Sequence, residues 1–234
     1  KKASRVAAEG LVGMYVQGTK GFLIEINSET DFVARNEQFQ KFVSSLLSLA
    51  CEKNVTNIED LKKITFPGTS HNVEEETSRN VATIGENLSL RRLTMLSVPQ
   101  GIVGGYVHNA VSPGLGKIGT LVALDSNGDK DKLAALAKSI AMHVAAAQPK
   151  SLNVSDLPQD VVAREKDVLM EQVKSSGKSQ EIVDKMIDGR LRKFYQEVVL
   201  LEQTFVIDGE TRIVDLVKKA EKDAGAPITL CAFG

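Results

Sequence analysis

The chain has 234 residues, 42% hydrophobic and 25% charged, with only 6 prolines, the composition of a folded protein with a real core and not of a disordered or fibrous one. Its 29 Lys and Arg nearly cancel 30 Asp and Glu, and a net charge of −1 supplies no field to gather phosphate backbones or anionic lipid. Every apolar run is broken by a charge before the ~20 residues a membrane-spanning helix needs, and Cys51 and Cys231, 180 residues apart with no signal peptide, fit a reducing compartment better than a disulfide framework.

The opening phrase Lys1 to Ala8 lacks methionine and is compatible with helix, which predicts a processed or trimmed N-terminus. Gly10-Leu11-Val12-Gly13-Met14-Tyr15-Val16 then returns 91 residues later as Gly101-Ile102-Val103-Gly104-Gly105-Tyr106-Val107, identical at five of seven positions, so the chain contains two copies of one unit. A second β-branched run follows each, Gly21 to Asn27 and Gly119 to Asp125, predicting paired strands. Apolar residues three and four apart come next. Phe39, Phe42, Val43, Leu46, Leu47 and Ala50 in copy one, and Leu133, Leu136, Ala137, Ile140 and Val144 in copy two, predict amphipathic helices. A third strand closes each unit, over 88–96 and 228–233.

From about Leu152 to Leu200 the pattern is helical throughout, with stripes at Val161, Val162, Val168, Leu169 and Val173, then at Ile182, Val183, Met186, Ile187, Leu191, Phe194, Tyr195 and Val198. The turn Ser175-Ser176-Gly177-Lys178 between them predicts an antiparallel coiled-coil hairpin whose mixed charges are a solvated face. The fold class expected is α+β: two repeated subdomains, each a three-stranded antiparallel sheet plus helices, with that hairpin inserted. The expected divisions are an N-terminal core subdomain over 1–98, the first part of a C-terminal core subdomain over 99–151, the helical insert over 152–200, and completion of the second subdomain over 201–234.

Chemistry is sparse. Gly114, Gly116 and Gly119 match G-x-G-x-x-G, but that motif needs a helix after it and Gly119 opens a strand, so no cofactor is expected. His71, His108 and His143 lack metal-ligand spacing, and no metal is expected either. Cys51 and Cys231 occupy positions where a thiol serves as a small buried hydrophobe, and His143 reads as a packed or helix-surface residue. One junction departs from this plainness. Between the second strand and the helix start at Asn36-Glu37 lies a connector with Phe32 beside Asp31, where copy two has the polar turn Asp125-Ser126-Asn127-Gly128. A local staple and a residue that inserts into a partner both account for it.

Thr30-Asp31-Phe32-Val33, with Ile84-Gly85-Glu86-Asn87, Tyr106-Val107-His108-Asn109, His143-Val144-Ala145-Ala146 and the run Glu197 to Val206, resembles in order the landmarks of the translation elongation factor Ts family, nucleotide exchange factors for the GTPase elongation factor Tu. The resemblance implies that Thr30 to Val33 press on the GTPase domain of Tu, that Phe32 inserts beside a helix there, and that the Mg²⁺ site is disturbed so that GDP leaves and GTP binds. It implies supporting contacts from Ile84 and His108, and further Tu binding by Val206 and Ile207. No catalytic residue, cofactor or metal is implied, and no direct contact with nucleic acid or membrane. For the insert the resemblance admits self-association, a second copy of Tu, or simple projection. Members usually begin with a small helical domain, and this chain starts where that domain would end; it stops at Gly234, short of a C-terminal helix seen in some. The turn Ala110 to Lys117 with Gly119 is similar to members from mitochondria and from related bacteria, so bacterial cytoplasm is expected, with the mitochondrial matrix as the alternative.

Two rivals stand beside this. A nucleic-acid or ribosome-binding α+β protein should show a basic face or stacking aromatics, and aromatics are 5% of the chain. A small enzyme would use Cys51 or His108.

Overall fold

The computed structural model describes residues 2–234. Lys1 lies outside the described residues, and the helix-compatible opening forms only a 3-10 turn, Lys2–Ser4, before extended chain. Strands β1 (Glu9–Gln17) and β2 (Lys20–Ser28) pair antiparallel across a two-residue loop, with Gly18 at φ 56°. A 3-10 turn, Asp31–Arg35, leads into helix α1 (Glu37–Lys53), whose first free amides are capped by the Asn36 side chain accepting from Phe39 N. Helices α2 (Ile58–Lys63) and α3 (Val73–Ile84) precede β3 (Leu88–Ser97), which pairs with β2.

The second copy begins with β4 (Gly101–His108), continues through β5 (Leu115–Gly116) and β6 (Ile118–Asp125), and packs helix α4 (Lys130–Ala147) on its sheet. Helices α5 (Gln159–Lys174) and α6 (Gln180–Val198) form the insert, and α7 (Ile213–Ala224) and β7 (Thr229–Phe233) complete the unit.

Strand alternation decides which surfaces meet. Leu11 of β1 and Phe22, Ile24 and Ile26 of β2 face α1 and join Phe39, Val43 and Leu46 in one core. Val12, Met14 and Leu23 point the other way and meet Val103, Leu121 and Ala123 of the second sheet. Val122 and Leu124 turn to α4 and pack with Leu133, Ala137 and Ile140. The result is helix, sheet, sheet, helix: the two copies stack through their sheets, with a helix layer on each outer face. Gly105 makes that stacking close, since a Cβ there would lie 2.3 Å from Met14 Sδ.

The copies agree in detail beyond the opening heptapeptide. Gly10 and Gly101 take φ 129° and 125°, and a Cβ on either would strike a facing carbonyl, Ile26 O at 2.2 Å or Leu124 O at 2.0 Å. A register irregularity falls beside each of those carbonyl residues, between Glu25 and Ile26 and between Ala123 and Leu124. The bridge Thr65 to Asn72 before α3 is matched by Thr204 to Arg212 before α7, and both helices end at a left-handed glycine, Gly85 and Gly225.

Several expectations are corrected. The first sheet has four strands, not three, in the order β3-β2-β1-β5, because the long turn after β4 reaches back and pairs Gly116 and Leu115 with Val12 and Gly13 of β1. The second keeps three, β4-β6-β7. The insert is not helical from Leu152; a short 3-10 turn, Val154–Asp156, precedes α5. Its apolar seam is narrow, with Leu169, Ile187 and Leu191 buried while Val168 and Ile182 face outward, because two helices alone cannot cover a wide stripe. Cys231 is exposed on edge strand β7 while its neighbour Leu230 is buried, the opposite of the burial expected for it.

Candidate functional site

The connector after β2 is tied down by carboxylates. Glu86 accepts from Thr30 N at 2.9 Å and from Thr30 Oγ1 at 2.6 Å, and Ser28 Oγ donates to the Thr30 carbonyl at 2.8 Å. A second carboxylate runs the other way: Glu29 Oε1 accepts from Asn87 N at 2.7 Å, with Arg5 3.7 Å from Glu29. Residues 29–30 and 86–87, far apart in sequence, are thus laced together at the end of α3.

Downstream, Val33 and Ala34 are buried in the first core, and Gln40 Nε2 donates to the Ala34 carbonyl at 2.8 Å. Between the two anchors Asp31 and Phe32 are exposed, and Phe32 is 79% exposed. Val33 therefore holds the turn from inside, while Asp31 and Phe32 form its outer surface. The sister turn in copy two exposes no large apolar side chain; there Ser126 Oγ accepts from Gly128 N and the glycine lies against Ala224.

The other sequence-read residues fall in three places. Ile84 is the last residue of α3, half-buried on the first core, two residues before Glu86. His108 ends β4 on the second sheet, exposed, with Nδ1 2.8 Å from Tyr106 Oη. Val206 and Ile207, 46% and 58% exposed, cap the turn before α7.

That turn is as firmly held as the first. Phe205 N donates to Thr211 O at 2.7 Å, Gly209 N to Phe205 O at 2.8 Å, and Asp208 Oδ1 accepts from Glu210 N and Thr211 N. A bond from the Thr211 side chain first, and then those two amides, lower the Asp208 carboxyl below its ordinary value. Beneath the tip His143 is fully buried on α4, with Nε2 2.9 Å from Gln203 Oε1 and Nδ1 accepting from Val206 N at 3.1 Å. Burial pushes its pKa down, opposed by the Gln203 bond.

Sequence reasoning missed Glu29, Glu86 and Gln203. For Glu86 a signal existed: an acid directly beyond a helix C-terminus opposes the helix dipole, a local conflict that a long-range partner must offset.

No cluster of three or more His, Cys, Asp or Glu among the described residues is placed to hold an ion. Gly114 to Gly119 run through β5 and into β6 with no helix after them. The Cys231 thiol, though its residue is exposed, is pushed up mainly by partial desolvation of the sulfur, the direction that suppresses thiolate.

The protein-family model described as elongation factor TS matches residues 29–233. The chain belongs to the elongation factor Ts family. Among its relatives, Elongation factor Ts of Rhodospirillum centenum is 54% identical over 233 residues, covering 100% of this chain and 76% of that protein. That of Rickettsia bellii is 50% identical over 234 residues, covering 100% and 75%, and that of Ehrlichia chaffeensis 47% over 234 residues, covering 100% and 81%. Family membership makes this an elongation factor of protein biosynthesis. No helix among the described residues is long and apolar enough to cross a membrane.

Proposed function

We propose that this protein is a guanine nucleotide exchange factor for elongation factor Tu, acting in the bacterial cytoplasm through contact alone, with Asp31 and Phe32 as the wedge. The observation that carries the reading is a large apolar side chain, 79% exposed, on a turn fixed at both ends by Glu86 and by buried Val33 and Ala34. A lone exposed aromatic on a loose loop would lose binding energy to ordering; a fixed one delivers it to the partner. Burying Phe32 in Tu contributes about 1.5–3 kcal/mol.

Exchange follows by linkage. A factor that binds the nucleotide-free GTPase more tightly than the GDP form must weaken GDP to the same degree. Dislodging the Mg²⁺ that bridges the phosphates is the most direct way to create that difference, because the ion holds much of the phosphate charge. Thr30 and Val33 position the wedge, Ile84 and His108 add contacts to the same GTPase domain, and Val206 and Ile207 make a second apolar contact. Segments 1–98, 99–151 and 201–234 serve as the frame and 152–200 as a projecting coiled-coil insert, which self-associates, binds a second copy of Tu or simply projects.

The test is release of fluorescent GDP from Tu in excess GTP. Wild type accelerates release, and Phe32→Ala and Asp31→Ala lose most of that acceleration. Fast release that neither substitution changes removes the wedge assignment; no acceleration by wild type removes the exchange reading.

A further inference from the structure

The internal repeat supplies a control for one buried residue. In copy one Phe42 of α1 lies beside Phe66, ring centroids 6.3 Å apart, and Phe66 N donates to the His71 carbonyl in the turn before α3. In copy two the ring that meets Phe205 is His143 of α4, centroid 6.1 Å away, and Phe205 N donates to Thr211 O in the turn before α7. His143 does not stand at the position of Phe42: counted from the left-handed caps Asn54 and Gln148, and from the matching buried pairs Val43/Ala137 and Ala50/Val144, its counterpart on α1 is buried Leu49. An imidazole in a wholly buried site costs desolvation that leucine avoids, so copy one shows that the fold itself has no need of it.

What the imidazole adds is two directed bonds. Because Nδ1 accepts from Val206 N, the proton sits on Nε2, which donates to Gln203 Oε1 at 2.9 Å. Gln203 is itself anchored, its Nε2 donating to the Glu197 carbonyl at 2.8 Å and its backbone carbonyl accepting from Ile213 N at 2.9 Å. His143 thus grips the strand entering the tip at Gln203 and the tip itself at Val206. The equivalent tip in copy one, Pro67-Gly68-Thr69, displays no large exposed apolar side chain, whereas this one displays Val206 and Ile207.

We infer that His143 is a positioning residue for Tu binding: it holds the Val206–Ile207 tip in its docking conformation without touching the partner. The inference rests on the exchange reading and on Val206 and Ile207 as its second contact, and it separates His143 from Phe32. Phe32 perturbs the nucleotide site and governs the maximal release rate. His143 acts through a remote tip and governs how much factor is needed to reach that rate.

The variant that tests this is His143→Phe, which keeps a ring on Phe205 while losing both hydrogen bonds. Fold retention is checked by circular dichroism and melting, and the Val206 amide by hydrogen exchange. The expected result is loss of protection at Val206, a half-saturating factor concentration raised roughly tenfold, and a maximal GDP release rate within twofold of wild type. His143→Gln, able to make one of the two bonds, falls between. The decisive measurement is a cycle with Val206→Ala/Ile207→Ala: acting through the tip, His143→Phe adds little to a chain whose tip is already stripped. Full additivity overturns the inference, as does a lowered maximal rate with unchanged half-saturation, or an unchanged Val206 amide. If His143→Phe unfolds the chain, the same cycle run with His143→Gln decides. A wild type that never accelerates release overturns the exchange reading and this inference with it, whereas a wild type that works beside an inert Val206→Ala/Ile207→Ala overturns the inference alone.

Discussion

Replacing Glu86 by alanine removes both bonds that fix Thr30, at 2.9 and 2.6 Å, and leaves Asp31 and Phe32 tethered mainly from the Val33 side. Hydrogen bonds to a charged group contribute about 1.5–3 kcal/mol each when shielded. Glu86 and Thr30 are both only half-buried, so water re-solvates the freed donors, and about 1–2 kcal/mol for the pair is the reasonable expectation. If only the clasped turn inserts into Tu, that energy is drawn from binding, and exchange efficiency at sub-saturating factor falls roughly 5- to 30-fold. Thr30→Ala keeps the backbone bond and loses about half as much in energy. Glu86→Gln, retaining an acceptor without its charge, lies between. Stopped-flow release of fluorescent GDP from Tu, as initial slope against factor concentration, measures all three. A Glu86→Ala slope within twofold of wild type, alongside a defective Phe32→Ala, refutes the claim that the wedge depends on being clasped.

Phe32→Ala leaves the urea unfolding free energy within about 0.5 kcal/mol of wild type, since the side chain is 79% exposed; a loss of more than 1 kcal/mol in denaturation would make it a structural staple instead. His143 confers a pH signature: its folded pKa is lowered from 6.5 by burial, so its stabilising effect is complete above that value. As pH falls below it, the unfolded chain takes up a proton that the folded chain resists, and stability drops at up to about 1.4 kcal/mol per pH unit. Urea titrations at pH 7.5 and 5.5 should show this drop in wild type and a shallower one in His143→Phe; parallel losses would contradict it. Gly10→Ala and Gly101→Ala should each cost about 2 kcal/mol or more in the same assay, and by similar amounts, because each Cβ meets a carbonyl 2.0–2.2 Å away at a φ alanine rarely adopts.

What was legible in the sequence follows from where each element buries its side chains. Helices α1 and α4 bury one face and show a 3.6 period, the Asn36 cap was plain, and β1 and β2, packed on α1 by one face and on the second sheet by the other, stood out as short β-branched runs bounded by turns. Helix α3 escaped although its capping box, Asn72 with Glu75, was written in the chain, because its apolar stripe is weak. Strand β5 is two residues drawn from a glycine-rich turn, and only the docking of copy two on β1 makes it a strand. Cys231 lies on an edge strand whose outer face no pattern marks as solvent-facing. At the site, Phe32 was visible by subtraction of one copy from the other. Its partner Glu86 left only the local signal of an acid beyond a helix C-terminus, and nothing tied it to Thr30, since a bond spanning 56 residues leaves no periodicity.

The two exposed tips share a design that the proposed exchange through contact calls for. A factor that works by contact alone must bring its contacts already ordered, because each side chain frozen on binding costs about 0.5–1.5 kcal/mol of the energy meant for the GTPase. The stacked sheets supply the rigid frame, and each copy then grows one apolar tip at a place where its sister has none: Phe32 after β2, Val206 and Ile207 before α7. Apolar side chains cannot orient themselves on a surface, so in both cases polar groups from a distant segment fix the backbone beneath them. Glu86 does so with a carboxylate, and His143 with Gln203 does so with neutral bonds. The difference in chemistry matches the difference in depth: the half-buried clasp keeps its charge in contact with water, whereas the fully buried one requires groups that can be satisfied without charge. In the proposed exchange, tips fixed in this way do not adapt to the partner, so the conformational change falls on the GTPase, where the nucleotide is held.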